Sequence, residues 1–231
     1  MTKSTPIILS LGGSLVVPNG GIEISFLSAF NAFIRKKIAK DWRFFIVVGG
    51  GATARHYIEA ARGVAGSITN WDLDWLGIHT TRLNAHLLRT IFRDIAHPRI
   101  IANYEKKIVD LRQTMVVAAG WKPGRSTDYD AVLLARDYKA KVIINMSNIA
   151  QVYDKDPKQN RSAKPISRIS WDDFEKLVGG KWLPGSNYPF DPVASKLAKK
   201  LKLSVYVLDG RNLSNLDRAI EGKKFVGTII E

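Results

Sequence analysis

Two glycine clusters, each directly behind a short apolar run, have the spacing to do chemistry: Gly12-Gly13-Ser14 after Pro6-Ile7-Ile8-Leu9-Ser10-Leu11, and Gly49-Gly50-Gly51 after Phe44-Phe45-Ile46-Val47-Val48. Residues without a Cβ let the backbone turn sharply and bring its N–H groups within reach of a phosphate. A helix starting there adds unpaired N–H groups and a positive dipole end. One such loop points to one nucleotide; two point to a donor and an acceptor phosphate. A third segment, Gly120-Trp121-Lys122-Pro123-Gly124-Arg125-Ser126-Thr127-Asp128, sets two hydroxyls and a carboxylate where a strand gives way to a helix. An N-cap by Ser126 or Thr127 accounts for those hydroxyls without any ligand. Beside two glycine cradles, the segment also reads as a binding loop.

Other phosphate-binding patterns fit less well. Gly49-Gly50-Gly51-Ala52-Thr53-Ala54 satisfies the loose dinucleotide pattern G-x-G-x-x-G/A, and Asp72 and Asp74 lie about the right distance onward. That pattern needs the acidic residue to close a second strand, and Gly66-Ser67-Ile68-Thr69-Asn70-Trp71 has no strand character. No Gly-Lys-Ser/Thr triplet of a Walker loop occurs.

The elements that must position these residues alternate. Val- and Ile-rich runs at 6–11, 43–48, 98–102, 114–119, 141–146, 204–209 and 225–230 read as strands. Helix-period segments fall at 52–62, 73–95, 128–138, 171–178 and 191–202, with a further helix capped by Ser25 and striped by Phe26, Leu27, Phe30, Phe33, Ile34 and Ile38. This is an α/β layout, a mostly parallel sheet covered by helices on both faces. The chain of 231 residues, 45% hydrophobic, is read as one domain over 1–231, with an acceptor part over about 1–135 and a donor part over about 136–231. Gly, Pro and Asn cluster in 120–127 and 179–192, which makes both candidate lids.

Composition excludes several classes. There is no cysteine, hence no disulfide and no thiolate metal site, and no metal-ligand cluster is assigned. The first apolar run is short and ends in glycines, so it reads neither as a signal peptide nor as a membrane span, and the expectation is a cytoplasmic protein. The net charge of +14 invites polyanion binding, but the basic residues fall on helix faces such as Arg35-Lys36-Lys37 and no nucleic-acid motif accompanies them.

The order of the motifs is more specific than any one of them. Strand-Gly-Gly-Ser, strand-Gly-Gly-Gly-x-x-x-Arg55, Asp74-x-x-Gly77-x-x-x-Thr81-x-x-Asn84-Ala85, Pro123-Gly124-x-x-Thr127-Asp128, Ser147-Asn148-x-x-x-Val152-Tyr153-x-x-Asp156-Pro157 and Asp191-Pro192-x-Ala194 together resemble the amino-acid kinase superfamily. Within it, the chain is similar to the short, archaeal form of uridylate kinase. That resemblance implies a three-layer αβα sandwich, transfer of the γ-phosphoryl group of ATP to UMP with Mg²⁺, and a homo-oligomer, commonly a hexamer. It assigns Gly13, Ser14, Gly51, Arg55, Ser147, Asn148, Tyr153 and Asp156 to ATP. To UMP it assigns Gly50, Asp74, Trp121, Lys122, Pro123, Gly124, Arg125, Ser126 and Thr127. Asp128, Arg55 and Arg125 are the expected catalytic residues. Such kinases commonly carry a lysine in the first loop or just after Gly-Gly-Gly, where this chain has Ser10 and Ala52. Lys122 or Arg125 is the expected substitute cation, and the competing reading is a nucleotide-binding protein of the same fold with lost or altered kinase chemistry.

Overall fold

A computed structural model describes residues 5–109, 111–157, 159–179 and 188–231. Five parallel strands form the heart of a seven-stranded sheet: β1 (Ile7–Leu11), β2 (Phe44–Val48), β3 (Met115–Ala118), β4 (Val142–Ser147) and β8 (Ser204–Asp209). The edge is completed by β9 (Thr228–Ile230), antiparallel to β8, and by β7 (Arg168–Ile169), parallel to β9. The order is β3-β2-β1-β4-β8-β9-β7. A separate two-stranded ribbon pairs β5 (Val152–Tyr153) with β6 (Pro165–Ile166).

Alternation along the central strands decides the layering. Ile7, Leu9 and Leu11 of β1 and Phe44, Ile46 and Val48 of β2 belong to one core, and Ile8, Phe45 and Val47 to the other. Side chains two apart share a face of a sheet, so continuous apolar runs need helices on both sides. On the first face lie residues of α1 (Gly13–Val16), α2 (Ile24–Ile38), α4 (Asn70–Ile91) and α8 (Leu213–Ile220); on the second lie those of α5 (Thr127–Asp137), α6 (Trp171–Val178) and α7 (Pro192–Lys200). Lys37, 3% exposed, ties α2 to α8 through Asp217 and Glu221.

The sequence reading meets two corrections. Residues 98–102 make no strand: Ala96 and Ile101 form only isolated bridges to Met115 and Ala118. Helix α2 starts at Ile24 with Glu23 as its cap, and the Ser25 hydroxyl donates to the Glu23 carboxylate (2.5 Å) instead of capping. Helix α3 (Gly51–Ala65) springs from the second glycine loop, and Asp72 and Asp74 lie inside α4, capped by Thr69. Only α3 lies between the second glycine loop and α4, so no second strand ends at these acids, which removes the dinucleotide pattern.

The two glycine loops stand side by side at the C-terminal ends of β1 and β2. A Cβ on Gly13 would meet the carbonyl carbon and oxygen of Gly49 at 2.5 and 2.6 Å. Gly51 has φ +67°, and a Cβ there would fall 2.8 Å from the Val17 carbonyl oxygen. Neither position tolerates a side chain, because the obstacle is backbone. Gly13→Ala is expected to cost about 3 kcal/mol or more, the upper end for overpacking against atoms that cannot swing aside, and to lower Tm by roughly 6–12 °C. Gly21→Ala, with nothing within 4 Å of the new carbon, is the control. Thermal unfolding of the two variants should separate them clearly.

Candidate active site

Strand order reverses between β1 and β4, the point where crevices open beyond the strand ends in sheets of this kind. Two cavities meet there. One, of about 290 Å³, lies between α3, α4 and the loop before α5, lined by Gly50, Gly51, Arg55, Asp74, Arg125 and Ser126 among others. The second, of about 580 Å³, lies between β1 and β4, lined by Ser10, Gly13, Ser14, Asn145, Ser147, Asn148 and Arg211 among others. Arg55, Thr127, Asp128 and Tyr188 line both.

The α4 side of the first cavity explains a motif. Asp74, Gly77, Thr81 and Asn84 recur at three- and four-residue steps and share one face of the helix. The Asp74 carboxylate accepts the Gly124 N–H at 2.7 Å, drawing the 120–127 loop across the cavity. Burial raises the Asp74 pKa, and that hydrogen bond opposes the rise. The Gly120 N–H donates to Thr81 Oγ1 at 2.8 Å. Asn84 donates to the carbonyls of Gly49 and Gly50 at 2.8 and 3.2 Å, bracing the second glycine loop from behind. Thr80, beside Thr81, sits so close to Gly50 that a Cβ there would fall 2.6 Å from its hydroxyl.

At the junction, α5 points its N-terminus into both cavities. Ser126 is its cap, accepting the Tyr129 N–H at 3.2 Å, so the ordinary capping role is real and coexists with a place on the cavity wall. The Asp128 carboxylate accepts from the Ser10 hydroxyl at 2.9 Å and from the Asp191 N–H at 3.2 Å. Desolvation, reinforced by the nearby Asp191 carboxylate, lifts its pKa to about 7 despite those hydrogen bonds. Asp191, 3% exposed, caps α7 through the N–H groups of Val193 and Ala194, and burial raises its pKa too. Arg125 lies with its guanidinium 4.2 Å from the Tyr129 ring centroid, and Arg55 donates to the Pro18 carbonyl at 3.3 Å.

Not every expected residue reaches these cavities. Lys122 sits 3.9 Å over the Trp121 ring and, with Trp121, lines a different hollow between α4 and residues 99–109. Pro123, Gly124, Tyr153 and Asp156 line neither cavity, although Gly124 reaches Asp74. Ala52 is 1% exposed within the first core and lines neither, whereas Ser10 is on the floor of the second. Of the 179–192 loop, residues 180–187 lie outside the described residues. The sequence reading missed Arg211, which follows β8 at an Asp209-Gly210 turn. The signal was there: another strand running into a glycine.

Residues 5–209 match the model of the amino acid kinase family. The chain belongs to that family. It is 33% identical over 228 residues to a uridylate kinase of Thermococcus onnurineus, covering 97% of this chain and 99% of that one. It is 36% identical over 227 residues to a uridylate kinase of Methanoculleus marisnigri, covering 97% and 94%. The crystal structure of uridylate kinase from Archaeoglobus fulgidus superimposes with a TM-score of 0.82 at 34% identity, covering 98% of this chain and all of that one. The mostly parallel sheet with helices on both faces is thus the family's fold, as the sequence motifs led one to expect.

The pKa of Asp128 gives a test with a definite sign. Between its unfolded value of about 4 and about 7 in the folded chain, the native state holds a proton that the unfolded state has released, so this group's contribution to stability falls as pH rises through that window. Asp128→Asn removes the charge and keeps a carbonyl acceptor. The variant should match the wild type near pH 4 and gain in relative Tm up to about pH 8, as read by thermal unfolding across that range. A difference in Tm that is flat with pH would refute the shifted pKa.

Proposed function

We propose that this chain phosphorylates UMP with ATP. The observation that carries the reading is the pair of adjoining cavities with Arg55, Thr127 and Asp128 in their common wall, in a chain whose full-length relatives are uridylate kinases. UMP is assigned to the cavity beside α4, its nucleoside toward Asp74 and its phosphate toward Gly50, Arg55 and the start of α5. ATP is assigned to the cavity between β1 and β4, with Gly13 and Ser14 along its phosphates and Ser147 and Asn148 toward its nucleoside.

The step itself asks little covalent chemistry of the protein. An oxygen of the UMP phosphate attacks the γ-phosphorus of ATP, a new P–O bond forms, and the bond to the β–γ bridging oxygen breaks, its electron pair leaving with ADP. The attacking oxygen is already ionised, so no proton need be removed. Catalysis then rests on alignment and on cations around the phosphoryl oxygens. Arg55 and Arg125 supply charge from the acceptor side and Arg211 from the donor side, where no lysine lines the cavity among the described residues. Planar guanidinium groups suit phosphoryl oxygens because they bridge two at once and stay charged.

Among the described residues, no group of three or more His, Asp or Glu could hold a metal. The single carboxylate among them that lines both cavities, that of Asp128, fits a Mg²⁺ that arrives on ATP, since Mg²⁺ in phosphoryl-transfer sites needs only one or two protein carboxylates beside substrate phosphates. Asp128, the carboxylate shared by both cavities, is the residue assigned to it. Held there, Mg²⁺ would supply positive charge to offset the charge of the phosphoryl group in transfer.

Self-association is part of the same reading. Trp71, Trp75, His79 and Leu83 form a stripe along α4 at four-residue steps, with Trp71 60% and Leu83 65% exposed, a surface suited to a second copy of the chain. Location in the cytoplasm is inferred from the substrates; among the described residues no helix is long and apolar enough to cross a membrane.

Formation of UDP from ATP and UMP, followed by a coupled ADP assay, is the direct test, and its absence with every nucleoside monophosphate would favour the catalytically silent alternative. Arg125→Ala should lower kcat by roughly a hundred-fold with the KM for ATP nearly unchanged. Asp74→Asn should act chiefly on the KM for UMP.

A further inference from the structure

Asp130 is 0% exposed, on the buried side of α5 among Ala131, Val132, Leu133, Leu134 and Ala135. An apolar residue would suit that position better, because a buried carboxyl is costly unless its oxygens are satisfied. Here they are not: Oδ2 accepts the Trp121 N–H at 3.2 Å, while Oδ1 has no hydrogen-bond partner among the described residues. Burial pushes its pKa well up, against the opposing pull of the Trp121 hydrogen bond and of Arg125 and Arg82. The group therefore weakens the core it sits in.

What it holds is specific. Gly120 and Trp121 have all four of their backbone polar groups bonded to side chains. The Gly120 N–H goes to Thr81, its carbonyl accepts from Arg82 Nε at 3.3 Å, the Trp121 carbonyl accepts from Arg82 Nη2 at 3.0 Å, and the Trp121 N–H goes to Asp130. Two consecutive residues are thus clamped between α4 and α5, just before the loop runs on to Gly124, Arg125 and Ser126. Three of the four tethers come from α4. Among the described residues, Asp130 alone hydrogen-bonds the same peptides to α5, the helix whose first turn carries Thr127 and Asp128.

We propose that Asp130 is a positioning residue that fixes the acceptor loop relative to the N-terminus of α5, and so sets affinity for the nucleoside monophosphate rather than turnover. This rests on the UMP kinase reading above. A buried acid whose one hydrogen bond among the described residues goes to this peptide is the kind of local destabilisation that a binding function retains.

The test compares Asp130→Val with Asp130→Asn. Valine fills the site without a polar atom and leaves the Trp121 N–H without its acceptor. The KM for UMP should rise about tenfold, kcat and the KM for ATP should stay within about threefold, and Tm should hold or rise. Asparagine offers a carbonyl oxygen to the same N–H and should restore the KM for UMP to near the wild-type value, which a need for charge at this position would not allow. Hydrogen exchange over 120–127 should quicken in the valine variant and not in the asparagine one. Unchanged UMP affinity and unchanged exchange with valine would overturn the proposal, as would an asparagine variant as impaired as the valine one. If valine does not fold, Asp130→Ala carries the same readouts. A wild-type protein that binds UMP but transfers no phosphoryl group would sink the kinase reading alone, because calorimetric UMP affinity and loop exchange still decide the role of Asp130.

Discussion

The contact between the backbones of the two glycine loops is the constraint on which the site depends. Gly13 lies against Gly49 and Gly51 so closely that no Cβ fits at either Gly13 or Gly51, and Asn84 holds the second loop from behind through the Gly49 and Gly50 carbonyls. Because β1 and β2 are hydrogen-bonded neighbours in register, Leu11 beside Val48, their loops must leave the sheet side by side. Two cavities consequently share one wall. In a transfer between phosphates, bringing donor and acceptor together is a large part of catalysis, and with the cavities assigned as proposed the sheet does it before any side chain contributes.

At and behind that wall the protein gathers acids: Asp128 lines both cavities, Asp191 one of them, and Asp130 is buried behind them. Asp128, Asp130 and Asp191 are all desolvated, and each has a pKa raised by burial. Each serves different backbone groups, for Asp191 caps α7, Asp128 accepts the Asp191 N–H, and Asp130 accepts the Trp121 N–H. The acids therefore connect α5, α7 and the acceptor loop through peptide groups. The guanidinium of Arg125 stands near two of them, Asp130 and Asp191, and partly offsets the accumulated negative charge.

The motif on α4 shows how single residues can serve structure and site together. Asp74 fastens the far end of the acceptor loop, Thr81 its near end and Asn84 the glycine loop, all from one helix face. Their spacing is readable in the sequence as a helical face, but their partners are 34 to 50 residues away. No periodicity announces such contacts.

The sequence by itself determined the strand-helix alternation, the glycine loops and the family, because each is a local matter: apolar runs of five or six residues, helical stripes, and turns where only glycine fits. The helix over 171–178 and the strand over 204–209 stand where the pattern placed them. Residues 98–102 look like a strand and are not one, since strand formation needs a partner along its length and only one isolated bridge, at Ile101, falls within them. Tertiary structure alone decided the rest. It turned Lys122 outward over Trp121, put Ala52 into the core and Ser10 against Asp128, brought Arg211 to the cavity between β1 and β4, and buried Asp130 behind Trp121. The physical reason is common to all five: where a side chain points, and what desolvates it, depends on which distant elements pack against it, and a linear pattern carries no such information.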